Sequence, residues 1–99
     1  MARSDKATIV AALSAALPAS ADPEGLADLV ADKGHINVAA EPAEIGPAIE
    51  RLKPLPGYRW IAINPSDLFT ASPKTIGTKV GIMDATGRVL KAADLPRPK

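Results

Sequence analysis

Nineteen of the apolar residues in this chain are alanine, and only Phe69, Trp60 and Tyr58 are aromatic. That imbalance limits the core the chain can build. A fully buried Leu, Ile or Val contributes roughly 1.5–3 kcal/mol, and alanine offers far less area. Large apolar residues number 26 once Met1 is set aside. A domain of 99 residues hides about two thirds of its unfolded surface, so its stability margin is modest. Such a chain must pack its elements closely or borrow surface from a partner, and the composition favours the partner. Ten prolines and seven glycines add rigid turns and lower the entropy of the unfolded state.

Several classes are excluded at once. The length fits one domain, expected over residues 1–94, with an extended Leu-Pro-Arg-Pro-Lys tail over 95–99. Cysteine is absent, so there is no disulfide and no thiolate zinc site. No 18-residue apolar run exists, so no helix is expected to span a membrane. Twelve basic and eleven acidic residues leave a net charge of +1, which argues against a uniformly basic nucleic-acid binder.

Along the chain, Ser4 is placed to cap a helix over Asp5–Leu17, with Ile9, Val10, Leu13, Ala16 and Leu17 on one face and Pro18 as its stop. Asp22-Pro23-Glu24 reads as a second helix start, with Leu26, Leu29 and Val30 apolar and Lys33-Gly34 at the end. His35–Ala40 alternates as a strand, Ile36 and Val38 sharing a face. Ile45, Ile49 and Leu52 return to helical spacing over Ala43–Lys53, with Pro47 tolerable only in the first turn. Tyr58–Asn64 reads as a central strand apolar on both faces: Tyr58, Trp60 and Ala62 on one, Arg59, Ile61 and Ile63 on the other. Leu68-Phe69 is expected to anchor the next loop to the core. Lys74–Met83 alternates again, Asp84–Gly87 is a hairpin loop, and Arg88–Ala92 is the partner strand. The expected fold class is α+β: two N-terminal helices, then β-α-β and a C-terminal β-hairpin forming a small mixed sheet.

Arg3 and Lys6 before the apolar Ala7–Leu17, with Pro18-Ala19-Ser20-Ala21 after it, have the layout of a secretory signal. Asp5 within the basic region and Ser14 within the apolar run favour an ordinary amphipathic helix, and with it a cytoplasmic protein or one inside an assembled particle.

Catalytic and metal motifs are sparse. His35 is the only histidine and has no cysteine or second histidine to join it, so it reads as a polar boundary residue. In Asp84-Ala85-Thr86-Gly87 an alanine separates the acid from Thr-Gly, which leaves a turn and no catalytic Asp-Thr-Gly. Gly77-Thr78-Lys79 lacks the glycine spacing of a phosphate loop. Glu24, Asp28 and Asp32 would form a row of carboxylates on one helix face, a solvated acidic surface without the oxygen cluster of a calcium site. No cofactor, metal or catalytic residue is expected; an enzyme reading would gain support if His35, Ser66 and a carboxylate met in one pocket.

Charge is unevenly spread. Residues 1–50 hold three basic and eight acidic residues; residues 51–99 hold nine basic and three acidic. Three arrangements would account for it. The halves pack together and compensate each other. Copies associate, acidic face to basic face. Or a basic hairpin of Lys79, Arg88 and Lys91, extended by Lys74 and Arg97, contacts nucleic-acid phosphates. The leading expectation is a non-catalytic structural or assembly module that self-associates or docks on a larger complex through an Ala-rich helical face, an exposed sheet edge and complementary charge. Lys79, Arg88, Lys91, Lys74 and Arg97 would be its basic contact surface, and Glu24, Asp28 and Asp32 its acidic one. Small alanine- and proline-rich accessory proteins of phage particles are of this general kind. A nucleic-acid-binding accessory domain is the alternative.

Overall fold

The computed structural model describes residues 5–17, 19–23, 25 and 27–94. These form three α-helices and one mixed six-stranded sheet: α1 (Lys6–Ala16), β1 (Ser20–Ala21), β2 (Leu29–Ala31), β3 (Gly34–Ala39), α2 (Pro42–Leu52), β4 (Arg59–Ile63), a 3-10 turn (Pro65–Asp67), α3 (Leu68–Thr75), β5 (Gly81–Met83) and β6 (Val89–Lys91). The strands lie side by side in chain order, β1 to β6. β3, β4 and β5 run parallel, while β1–β2, β2–β3 and β5–β6 are antiparallel.

Parallel neighbours need a crossover, and α2 and α3 supply the two. Crossovers of one hand across strands in sequential order place both helices on the same side of the sheet. There Ile45, Ala48, Ile49 and Leu52 of α2 and Ala71 of α3 pack on Ala39, Ile61, Ile63 and Ile82. Helix α1 covers the other side: Ile9 and Leu13 pack with Leu29, Ile36, Val38, Trp60, Ala62 and Met83. β4 is buried along its whole length, with its two sets of side chains divided between the layers as the alternation of Tyr58–Asn64 predicts. The βαβ unit His35–Asn64 and the C-terminal hairpin also form.

Three sequence expectations are corrected. The described residues of 22–33 form no helix. Asp22-Pro23 opens a β-turn, Gly25 N–H donating to the Asp22 carbonyl at 3.0 Å with Gly25 at φ 69°, and the Asp22 carboxylate accepts from Ala27 N–H. An Asp-Pro pair starts either structure, and a left-handed residue two positions on ends helical propagation. Leu29–Ala31 instead pairs with β3, and the register Ala31↔Gly34 leaves Asp32-Lys33 as a two-residue hairpin loop. The expected strand over Lys74–Met83 is helix up to Thr75 and becomes strand only at Gly81, because Gly77 (φ 80°) and Lys79 (φ 64°) bend the chain twice. Pro47 lies in the second turn of α2, beyond the first-turn limit expected for it. Gly46 before it has no Cβ to clash with the proline ring.

Asp5 is the cap of α1, its carboxylate accepting from Thr8 N–H at 2.8 Å. The expectations for Ser4, Pro18, Leu26 and the 95–99 tail lie outside the described residues.

Candidate interaction surface

An outward apolar ridge is built by α3 and its C-cap residue Ile76. Buried Ala71 and Thr75 fix the face that meets the sheet. Helical geometry then throws Phe69, Pro73 and Ile76, at spacings of four and three, onto one outer ridge. Phe69 is 89% exposed and Ile76 72%, the two most exposed large apolar side chains among the described residues. The expectation that Leu68-Phe69 anchors the loop holds for Leu68, which packs on the core, and fails for Phe69. The sequence supplied no warning, since a lone Phe beside a Leu ordinarily reads as core.

The side of α3 opposite that ridge faces α2. Lys74 projects there and, with Gly46, Ile49, Glu50 and Lys53 of α2 and Thr78, lines a shallow groove of about 240 Å³. Beneath its rim lies Arg59, 3% exposed. Its Nη1 donates to the Lys53 carbonyl at 3.1 Å and its Nη2 to the Thr78 carbonyl at 2.8 Å. One guanidinium thus satisfies carbonyls at the ends of both crossover connections, where positive charge is favoured. Burial lowers its pKa from the usual guanidinium range.

The expected basic surface is only partly assembled. Lys91 turns inward to α3, Nζ donating to the Thr75 hydroxyl at 2.7 Å and the Ser72 carbonyl at 3.4 Å. Lys79 pairs with Asp94 at 3.8 Å. Arg88 is exposed at the foot of β6, Lys74 sits on the α2 side of α3, and Arg97 lies outside the described residues. Among the described residues of this set, Lys79 and Lys91 are engaged within the fold, and Lys74 and Arg88 are the exposed cations.

The expected acidic row is also rearranged, because its helix is absent. Glu24 lies outside the described residues. Asp32 is exposed in the β2–β3 loop. Asp28 is a tether: its carboxylate accepts from Val38 N–H at 2.8 Å and pairs with Lys6 at 3.2 Å and Arg51 at 3.7 Å, joining β3, α1 and α2. Its own N–H donates to the Oδ1 of Asn37, a fully buried side chain whose Nδ2 reaches the Ala48 carbonyl.

The charge imbalance shrinks when mapped on the fold. A division at Glu50 cuts through α2, whose Glu44 lies in the first turn and Arg51 in the last, matching the helix dipole. Residues 41–63 hold three acids and three bases; residues 1–40 hold three bases and five acids, and residues 64–99 six and three.

Two further features complete the surface. The outer face of α1 is Ala7, Thr8, Ala11 and Ala15, all exposed, with no charged residue between Lys6 and Leu17. His35 and Ser66 stand at opposite ends of the parallel strands, His35 beside Arg59 at the start of β4 and Ser66 beyond its end. Among the described residues no cluster of three potential metal ligands occurs, and no helix is long and apolar enough to cross a membrane. No family model, curated protein or solved structure matches the chain.

Proposed function

We propose that this chain is a non-catalytic assembly module that works by presenting surface, either to another copy of itself or to a larger protein complex. The observation that carries this reading is the Phe69–Pro73–Ile76 ridge, in a chain whose other large apolar residues are mostly buried. Burying Phe69 or Ile76 fully is worth roughly 1.5–3 kcal/mol each. The chain leaves that area in water while building its core largely from alanine, isoleucine and leucine. The outer face of α1 between Lys6 and Leu17 carries no charge and supports the same reading, since a solvated helix face ordinarily carries charged residues. His35 and Ser66, whose meeting in one pocket would have supported an enzyme, lie at opposite ends of the parallel strands. The engagement of Lys79 and Lys91 within the fold lends no specific support to the nucleic-acid alternative.

The test is the double variant Phe69→Asp, Ile76→Asp. Both side chains are exposed, so the fold is expected to remain. Wild-type protein is expected to self-associate or to retain a partner from its native host, and the variant to lose that complex. A wild-type chain that stays monomeric at millimolar concentration and retains nothing the variant loses would refute the proposal.

A further inference from the structure

We infer that the partner at this ridge is a second copy of the chain, paired edge to edge through β6 about a two-fold axis, with the two α3 ridges closing over the junction. This rests on the self-association arm of the reading above and specifies its geometry.

The first argument is direction. On α3, Lys74 faces α2 across the groove, while the Ser72 carbonyl and Thr75 hydroxyl meet Lys91 of β6. Phe69, Pro73 and Ile76 fill the remaining arc, away from α2 and above β6. The ridge therefore overhangs the edge of the sheet. That edge is open: β6 pairs with β5 on one side, and no described strand lies on the other.

The second argument is spacing. Strands in a sheet lie about 4.8 Å apart. Continuing the sheet through β6 to a second β6 would hold the two α3 axes roughly 15–20 Å apart, beyond the 8–10 Å of direct helix contact. Side chains as large as Phe and Ile, projecting from both helices, are of the size to fill such a gap. β6 itself has three residues and a register shift against Ile82 and Met83, features that limit open-edge pairing. A ladder that short needs the ridge to hold it.

The third argument is charge. An uncompensated basic edge would repel its own copy and call for an acidic partner. This edge is compensated: Lys91 is tied to α3, Lys79 to Asp94, and Arg88 lies near enough to Asp84 to help lower its pKa. Antiparallel pairing centred on Leu90 sets Arg88 opposite Ala92 of the second copy, one pleat from its Asp94. Arg88 then adds a second cation beside the Lys79–Asp94 pair of the other copy, twice by symmetry.

The test uses the full chain, which has no cysteine of its own. Light scattering over a concentration series is expected to show association that stops at two. Phe69→Asp is expected to raise the dimer dissociation constant about 30-fold or more. Arg88→Cys and Ala92→Cys, both at exposed positions, are then mixed in equal amounts and treated with a short bis-maleimide. The mixture is expected to cross-link, and each variant alone is not, because like positions sit about 14 Å apart along the strands. A monomeric wild type overturns this inference, while retention of a different protein at the Phe69 ridge would leave the docking reading intact. A wild-type dimer that ignores Phe69→Asp and gives no mixed cross-link also overturns it, and leaves self-association standing through another surface.

Discussion

Gly34 shows how much one residue decides. At φ 122° it follows the Asp32-Lys33 loop, and its N-terminal neighbourhood closes on β4 so tightly that a Cβ would sit 2.0 Å from the Tyr58 carbonyl oxygen. Gly34→Ala is therefore expected to cost about 3 kcal/mol or more, from strained backbone and a displaced strand, read as a lower urea midpoint. Asp84 gives a pH signature. Burial works to raise its pKa, but hydrogen bonds from the Thr86 hydroxyl, Thr86 N–H and Arg88 N–H, with the charge of Arg88, lower it on balance. A depressed carboxylate stabilises the fold above its unfolded pKa, and that contribution is lost as pH falls through the folded value. The stability of wild type relative to Asp84→Asn is thus expected to decline below about pH 4, by no more than about 1 kcal/mol for so accessible a site. Denaturation of both proteins between pH 2 and 6 checks this.

At the scale of elements, the parts legible in the sequence were those whose pattern and neighbours agreed. β4 was readable because YRWIAIN is apolar on both sides, and α2 because Ile45, Ile49 and Leu52 keep helical spacing. The segment 22–33 was not readable, because Asp-Pro and Leu-Val-Ala suit a helix locally and only pairing with β3 selects strand. The same holds at 74–80, where alternation is real in the letters but two left-handed residues break it in space. The candidate surface was half visible: an open edge and an alanine-rich helix were expected, while the Phe69–Ile76 ridge depends on α3, whose existence the alternation concealed. Asp28 illustrates the cost of misplacing an element. As a helix residue it was one acid in a row; in the fold it ties α1 to β3 and α2. Asp28→Ala is expected to destabilise the chain by about 2–3 kcal/mol and to raise amide exchange in α1 more than in α2, measurable by hydrogen–deuterium exchange.

For the whole molecule, a sheet covered on both faces accounts for how a chain poor in aromatic residues stays folded. Two thin apolar layers share β4, and small side chains let the helices sit close. Trp60 is the exception in size, and it is held individually: its indole N–H donates to the Lys33 carbonyl at 2.8 Å, Lys33 Nζ lies 5.8 Å from the ring centre, and Gly81 leaves room for the ring where a Cβ would come within 2.6 Å. Trp60→Ala is expected to cost about 3–5 kcal/mol and to unfold the sheet as one unit, seen as a single lowered transition in calorimetry.

The chain-ordered sheet also bears on synthesis. Of the six strands β1 is made first and β6 last, so each strand after β1 emerges to find a neighbour already made, and no strand waits for a distant partner. The open edge belongs to β6, the last of the six strands to be made. Sticky surface of this kind is dangerous on a half-made protein among other nascent chains. Here the α3 ridge is made after four of the six strands, and the β6 edge after the other five.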